Sequence, residues 1–113
     1  MKEIKAIIRP FKLNEVISEL SKIEDLPGVT ISEIKGFGKS RGHSEKDKKS
    51  DDIFEFLHKT KIEMVVHDDI VSEIVDVIQK TSHTGNPGDG KIFVLNVEEV
   101  VKIRSNERGN DAI

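Results

Sequence analysis

The sequence predicts a small α+β domain in which two β-α-β halves contribute to one sheet. Three observations carry that prediction. Alternating apolar residues at 2–9, 29–35, 59–66 and 91–97 read as strands. Apolar residues at steps of three and four over 13–23 and about 68–81 read as two helices, each lying between two strands. Between the halves, residues 39–52 contain no apolar side chain. Such a stretch cannot bury enough surface to offset its ordering entropy, so it reads as a long, mobile, solvated loop. The order β-α-β, long loop, β-α-β matches the split, ferredoxin-like sandwich, an antiparallel sheet with both helices on one face. At 113 residues and 12.7 kDa the chain, residues 1–113, is a single domain with one modest core.

In the first strand Ile4, Ala6 and Ile8 share a face, with Glu3, Lys5 and Arg9 on the other and Ile7 interrupting the polar side. Pro10 ends it. Leu13, Val16, Ile17, Leu20 and Ile23 form the stripe of the first helix, and Pro27-Gly28 turns the chain. The second strand is rich in β-branched residues and gives way to Gly36-Phe37-Gly38, a place for close backbone approach or a hinge. Residues 53–57 restore apolar character with Phe54 and Phe56. In the third strand Ile62, Met64 and Val66 alternate with Lys61, Glu63 and Val65. Asp68 or Asp69 is placed to cap the second helix, whose stripe is Ile70, Ile74, Val77 and Ile78. After the fourth strand, Glu98-Glu99 breaks the pattern. Residues 100–104 read as a short extra strand and 105–112 as an exposed polar tail. Ile7, Ile34 and Val65 lie out of phase with the core pattern, and self-association is the economical way to bury them.

Composition excludes several classes. There is no cysteine, hence no disulfide and no thiolate metal site. A net charge of −3 and the absence of Trp and Tyr leave neither a basic stripe nor stacking platforms for nucleic acid. No apolar run is long enough to span a membrane and no signal-peptide pattern follows Met1, so the cytoplasm is the expected location.

The segment Thr84-Gly85-Asn86-Pro87-Gly88-Asp89-Gly90-Lys91 carries most of the chemistry. Glycines admit close approach of backbone N–H groups, and a lysine adds a compact positive charge, a combination suited to a phosphate chain. Gly85 to Lys91 even fits the spacing G-x-x-x-x-G-K, but Ile92 supplies no hydroxyl for Mg²⁺. The loop also runs from helix to strand, the reverse of an NTP-hydrolysing loop. The blander reading is a tight turn whose glycines supply positive φ.

These residues bear a likeness to a known family. Ile7-Ile8-Arg9-Pro10-Phe11-Lys12-Leu13, Lys35-Gly36-Phe37-Gly38, Thr84-Gly85, Gly88-Asp89-Gly90-Lys91-Ile92-Phe93-Val94, Val97-Glu98-Glu99-Val100-Val101 and Ile103-Arg104 resemble the PII signal-transduction proteins, the GlnB/GlnK-like nitrogen regulators. The resemblance covers essentially the whole chain. It implies a ferredoxin-like homotrimer with ATP or ADP, with or without Mg²⁺, in each cleft between subunits. It places Gly88, Asp89, Gly90 and Lys91 on the phosphates, and Gly36, Phe37, Gly38 and Lys39 beside the nucleotide. Ile7, Val65 and Phe93 pack near it, and Thr30, Glu63, Lys102 and Arg104 come from the neighbouring subunit. Lys39 and Lys102 stand where the family usually has arginine, which keeps the charge and loses the bidentate fork.

The loop at 39–52 corresponds to the family's T-loop, which engages target proteins. The tyrosine uridylylated in many relatives falls at Asp52, and the chain has no tyrosine, so that modification is excluded. The glutamine that helps hold Mg²⁺ and 2-oxoglutarate falls at Ser40, too short to copy its reach, which puts 2-oxoglutarate sensing by that route in doubt. Lys59, the other contact, is retained. Ser44 and Ser50 are phosphorylatable in principle, as any exposed serine is. The altered loop suggests a divergent branch.

The leading expectation is therefore a non-catalytic regulator. It binds ATP or ADP between subunits and controls a target, such as a membrane transporter or metabolic enzyme, through the T-loop, with nitrogen metabolism the family default. Alternatives are a PII-like regulator tied to metal efflux or bicarbonate handling, and a weak ATPase with Asp89 and Glu63 as acids and Lys91 on phosphate charge. A metal-binding module using His43, Glu45, Asp47 and His58 is the third.

Overall fold

The computed structural model describes residues 1–38 and 56–113. These form a four-stranded antiparallel sheet and two α-helices: β1 (Lys2–Ile8), α1 (Leu13–Leu20), β2 (Thr30–Gly36), β3 (Leu57–Val66), α2 (Val71–Ser82) and β4 (Lys91–Asn96). The strand order is β2-β3-β1-β4, which is the ferredoxin-like arrangement expected. The two central strands are the most apolar on their inner face, because only they are flanked on both sides.

Period-two alternation sends Ile4, Ala6 and Ile8 of β1 and Ile62, Met64 and Val66 of β3 toward the helices, where all are buried. Val16 and Leu20 of α1 and Ile74 and Ile78 of α2 meet them. Among the described residues no helix covers the opposite face. Its register sets Thr30, Glu63, Lys5 and Phe93 in one row across the sheet, and Ser32, Lys61, Ile7 and Lys91 in the next.

The predicted elements needed four corrections. Helix α1 stops at Leu20 rather than at 23. The following N–H groups of Lys22 and Ile23 reach only three residues back, to Glu19 and Leu20, so the last turn tightens while Ile23 stays buried. Neither Asp68 nor Asp69 caps α2, which is entered through a 3₁₀ turn, Asp68–Ile70, with no side-chain cap. Asp68 is instead occupied by the N-terminal ammonium of Met1 at 2.9 Å and by Lys2 at 3.7 Å. Residues 100–104 are not a strand but contribute one bridge, Val101 to Arg108. The tail is not wholly exposed either. Gly109 N–H donates to the Val100 carbonyl, the turn Gly109–Ala112 folds back, and Ala112 is only 7% exposed.

Candidate functional site

The glycine-rich loop joins α2 to β4 and is built around Asp89. The Oδ1 atom of Asp89 accepts from Arg9 Nε at 3.0 Å and from the Thr84 hydroxyl; its Oδ2 accepts from the N–H groups of Thr84 at 2.8 Å and Gly85 at 2.9 Å. A carboxylate offers about four acceptor positions, so this one is saturated. These donors, the Thr84 hydroxyl and N–H first among them, hold the Asp89 carboxyl well below its ordinary range. A saturated, firmly ionised carboxylate cannot take a proton from water without dismantling its own loop. The role of acid expected for an ATPase reading therefore does not fit Asp89, which organises the loop.

Two cations clamp the outer side of the same loop. Arg9 donates through Nη2 to the Pro87 carbonyl at 2.8 Å, and Lys59 donates to the Gly88 carbonyl. Burial lowers the pKa of Lys59, the Arg9 charge lowers it further, and Asp89 opposes both. Gly90 has φ +96°, and a Cβ built there would sit 1.7 Å from the Ile7 carbonyl oxygen. The loop thus lies directly against β1 at a position only glycine can occupy. Gly85 and Gly88 also have positive φ, as the turn reading anticipated. The N–H groups of Thr84, Gly85 and Asn86 are consumed inside the loop. Those three backbone donors are therefore spent within the loop and are not available to a ligand.

The structure distributes the other expected site residues over four places. Ile7 is the register partner of Lys91 and lies with Asp89 and Gly90 at the loop. Thr30, Glu63 and Val65 line a separate pocket of about 560 Å³ on the uncovered sheet face, bounded by Val100 and Ile113. Val65 thus groups with Thr30 and Glu63 and not with Ile7. The Lys61 ammonium, 3.3 Å from Glu63, holds the Glu63 carboxyl below its ordinary range. Phe93 is exposed in the same row as Glu63. Gly36 closes the β2–β3 ladder opposite Leu57, and Phe37 packs at 6.1 Å from Phe56 just beyond it, with Gly38 next. Lys102 pairs with Glu107 at 3.8 Å, and Arg104 lies in an exposed turn.

Lys39, Ser40, Ser44, Ser50 and Asp52 lie outside the described residues, as do His43, Glu45 and Asp47 of the metal reading. His58 sits on β3 opposite Lys35, and no group of three His, Cys, Asp or Glu side chains among the described residues is placed to hold a metal. Sequence reasoning missed the part played by Arg9 and Thr84. The one available signal was a long cation just past the strand end, ahead of Pro10.

Residues 1–107 match the family described as Nitrogen regulatory protein P-II. The chain is 50% identical to the Nitrogen regulatory protein P-II of Azospirillum brasilense over 113 residues, covering all of both chains. It is 48% identical to Nitrogen regulatory protein P-II 1 of Escherichia coli K12 with the same coverage. A crystal structure of Arabidopsis thaliana PII bound to citrate superposes with a TM-score of 0.79 at 38% identity, over 99% of this chain and 91% of that one. The chain belongs to the P-II family. P-II proteins are signalling regulators of nitrogen metabolism, trimeric, and act through target proteins. As a family they are non-catalytic and bind small-molecule effectors. No helix among the described residues is long and apolar enough to cross a membrane.

Proposed function

We propose that this P-II protein binds ATP or ADP in the cleft between subunits of a homotrimer and, through the segment 39–52, controls a target protein such as a membrane transporter or metabolic enzyme of nitrogen metabolism. The observation that supports it most is the loop itself. Its first half is locked internally by Asp89, and its second half, 88–91, is pressed onto Ile7 through Gly90 and ends in an exposed lysine. A preorganised backbone turn followed by a cation suits phosphate oxygens, because little ordering remains to be done on binding. In this reading Ile7 and Phe93 meet the base, and Gly36, Phe37, Gly38 and Lys39 border it beyond the end of β2. Thr30, Glu63, Val65, Lys102 and Arg104 complete the cleft from the uncovered face and the tail, with Glu63 and Thr30 reaching a neighbouring subunit's ligand. The uncovered sheet face, with Phe93 and Leu95 exposed, is what the trimer would bury.

A nucleotide shifts the target-binding segment only by its differential affinity for two states of that segment. The plant PII is bound to citrate, which supports a carboxylate as a second ligand in this reading. With Ser40 in place of glutamine, a response to 2-oxoglutarate is expected to be weaker here than in relatives that keep it.

Calorimetric titration with ATP, ADP and AMP, each with and without Mg²⁺ and 2-oxoglutarate, tests the reading. One adenine nucleotide per chain is expected, with Lys91→Ala weakening binding about tenfold to a hundredfold, as for a lost charged hydrogen bond. Absence of adenylate binding would sink it.

A further inference from the structure

Arg9 and Lys59 stand next to each other at the end of the sheet. Ile8 of β1 is the register partner of Thr60 of β3. The residue after the one and the residue before the other therefore leave adjacent strands side by side. Their like charges repel, and after burial the Arg9 charge is the main reason the Lys59 pKa is lowered. Each cation nevertheless spends a donor on a backbone carbonyl: Arg9 Nη2 on Pro87 at 2.8 Å and Lys59 Nζ on Gly88. Pro87 and Gly88 are exposed, so water could serve both carbonyls as well. Folding alone does not call for two crowded cations there.

Their effect falls on the far side of the same two peptide groups. The Pro87–Gly88 and Gly88–Asp89 peptides are trans, and in a planar trans peptide the N–H points opposite to the carbonyl. Holding the Pro87 and Gly88 carbonyls toward the cations therefore turns the Gly88 and Asp89 N–H groups away from them. Neither N–H has a hydrogen-bond partner among the described residues. The sign of φ is positive at Gly88 and at Gly90 but not at Asp89, and such alternation gathers successive N–H groups around a concavity that suits an anion.

We propose that Arg9 and Lys59 are positioning residues for phosphate recognition: by holding two consecutive carbonyls they aim the Gly88 and Asp89 N–H groups at a phosphate oxygen. They act through the backbone and make the loop ready before a ligand arrives. The inference rests on the nucleotide reading and adds how its phosphate donors are set. Lys59 is the cleaner of the two to test, since Arg9 also bonds the Asp89 carboxylate.

The test compares the full chain with Lys59→Met, which keeps the reach of the side chain and removes its donor. Lys22→Met, which removes the same charge beside Glu19 on the helix side, is the control. In the ligand-free protein the amide nitrogen NMR signal of Asp89, bonded directly to the Gly88 carbonyl carbon, should move in Lys59→Met, while that of Ile62 stays. Affinities for ATP and for tripolyphosphate should both fall about tenfold. Lys59→Arg should recover most of the loss, and Lys22→Met should bind as the parent does. A clamp that served stability alone would lower the unfolding midpoint and leave both affinities unchanged, which would overturn the proposal. An affinity loss with the ligand-free Asp89 signal unmoved would overturn it too, making Lys59 a direct contact. A parent that binds neither ATP nor tripolyphosphate would overturn the nucleotide reading and this inference with it. A parent that binds both, with Lys59→Met unimpaired, would overturn this inference alone.

Discussion

On the helix side of the sheet, Ile4, Ala6, Ile8, Ile62, Met64 and Val66 are at most 3% exposed. On the other side the same two central strands present Glu3, Lys5, Ile7, Lys61, Glu63 and Val65, and β4 adds Phe93 and Leu95 at 45% and 42% exposure. Both faces are written by the same strands, one residue out of phase. The covered face carries only volume and apolarity, as folding demands. The open face mixes charges with a few large apolar groups, which folding does not require. It is there, and in the loop between α2 and β4, that the residues proposed to bind a ligand lie.

The largest test of this division is a pair of neighbours on β3. Ile62→Ala, on the covered face, is expected to cost about 2–5 kcal/mol in urea unfolding through the cavity it leaves. Val65→Ala, on the open face, should cost within about 1 kcal/mol in the isolated chain while weakening assembly or nucleotide binding. Equal losses of stability would erase the distinction between the faces.

Gly90→Ala comes next. The left-handed backbone alone should cost about 1–3 kcal/mol, and the collision with the Ile7 carbonyl should displace segment 88–91. Thermal unfolding and ATP titration together would show it, the second falling more steeply than the first.

Asp89→Asn sharpens the comparison at the loop. The folded-state pKa of Asp89 is depressed, so its contribution is present above the ordinary aspartate value of 3.8 and is lost as pH falls below it. The parent should therefore lose stability progressively on acidification below about pH 4, and the Asn variant should show a shallower acid limb. Faster amide exchange at Thr84 and Gly85 in the variant, with no change in β3, would place the effect in the loop.

Glu63→Gln should have the smallest effect on folding, since its partner Lys61 shares an exposed face. The unfolding midpoint is expected to stay put while subunit assembly or nucleotide affinity changes. A shift in the midpoint alone would assign Glu63 to the fold.

Much of this molecule was legible in the chain because periodicity is a local property. The strands, both helical stripes and the face each would bury follow from spacing alone, and all appear within a few residues of the expected bounds. The end of α1 and the entry to α2 were less legible, because 3₁₀ tightening and the ion pair between Met1 and Asp68 depend on atoms far apart in sequence. At the loop, glycine spacing indicated a turn suited to phosphate. It could not show that Asp89 would turn inward, nor that Arg9 and Lys59, 80 residues from Asp89 in one case and 29 from Gly88 in the other, would clamp it.

The sequence by itself determined the fold class, the two sheet faces and the family, because each rests on patterns short enough to read along the chain. Only the tertiary structure decided which loop N–H groups are already spent, which carboxylate is saturated and which cations clamp the loop. Those outcomes depend on which side chains from distant segments reach the same few ångströms, and on hydrogen-bond capacity that is filled only once they meet.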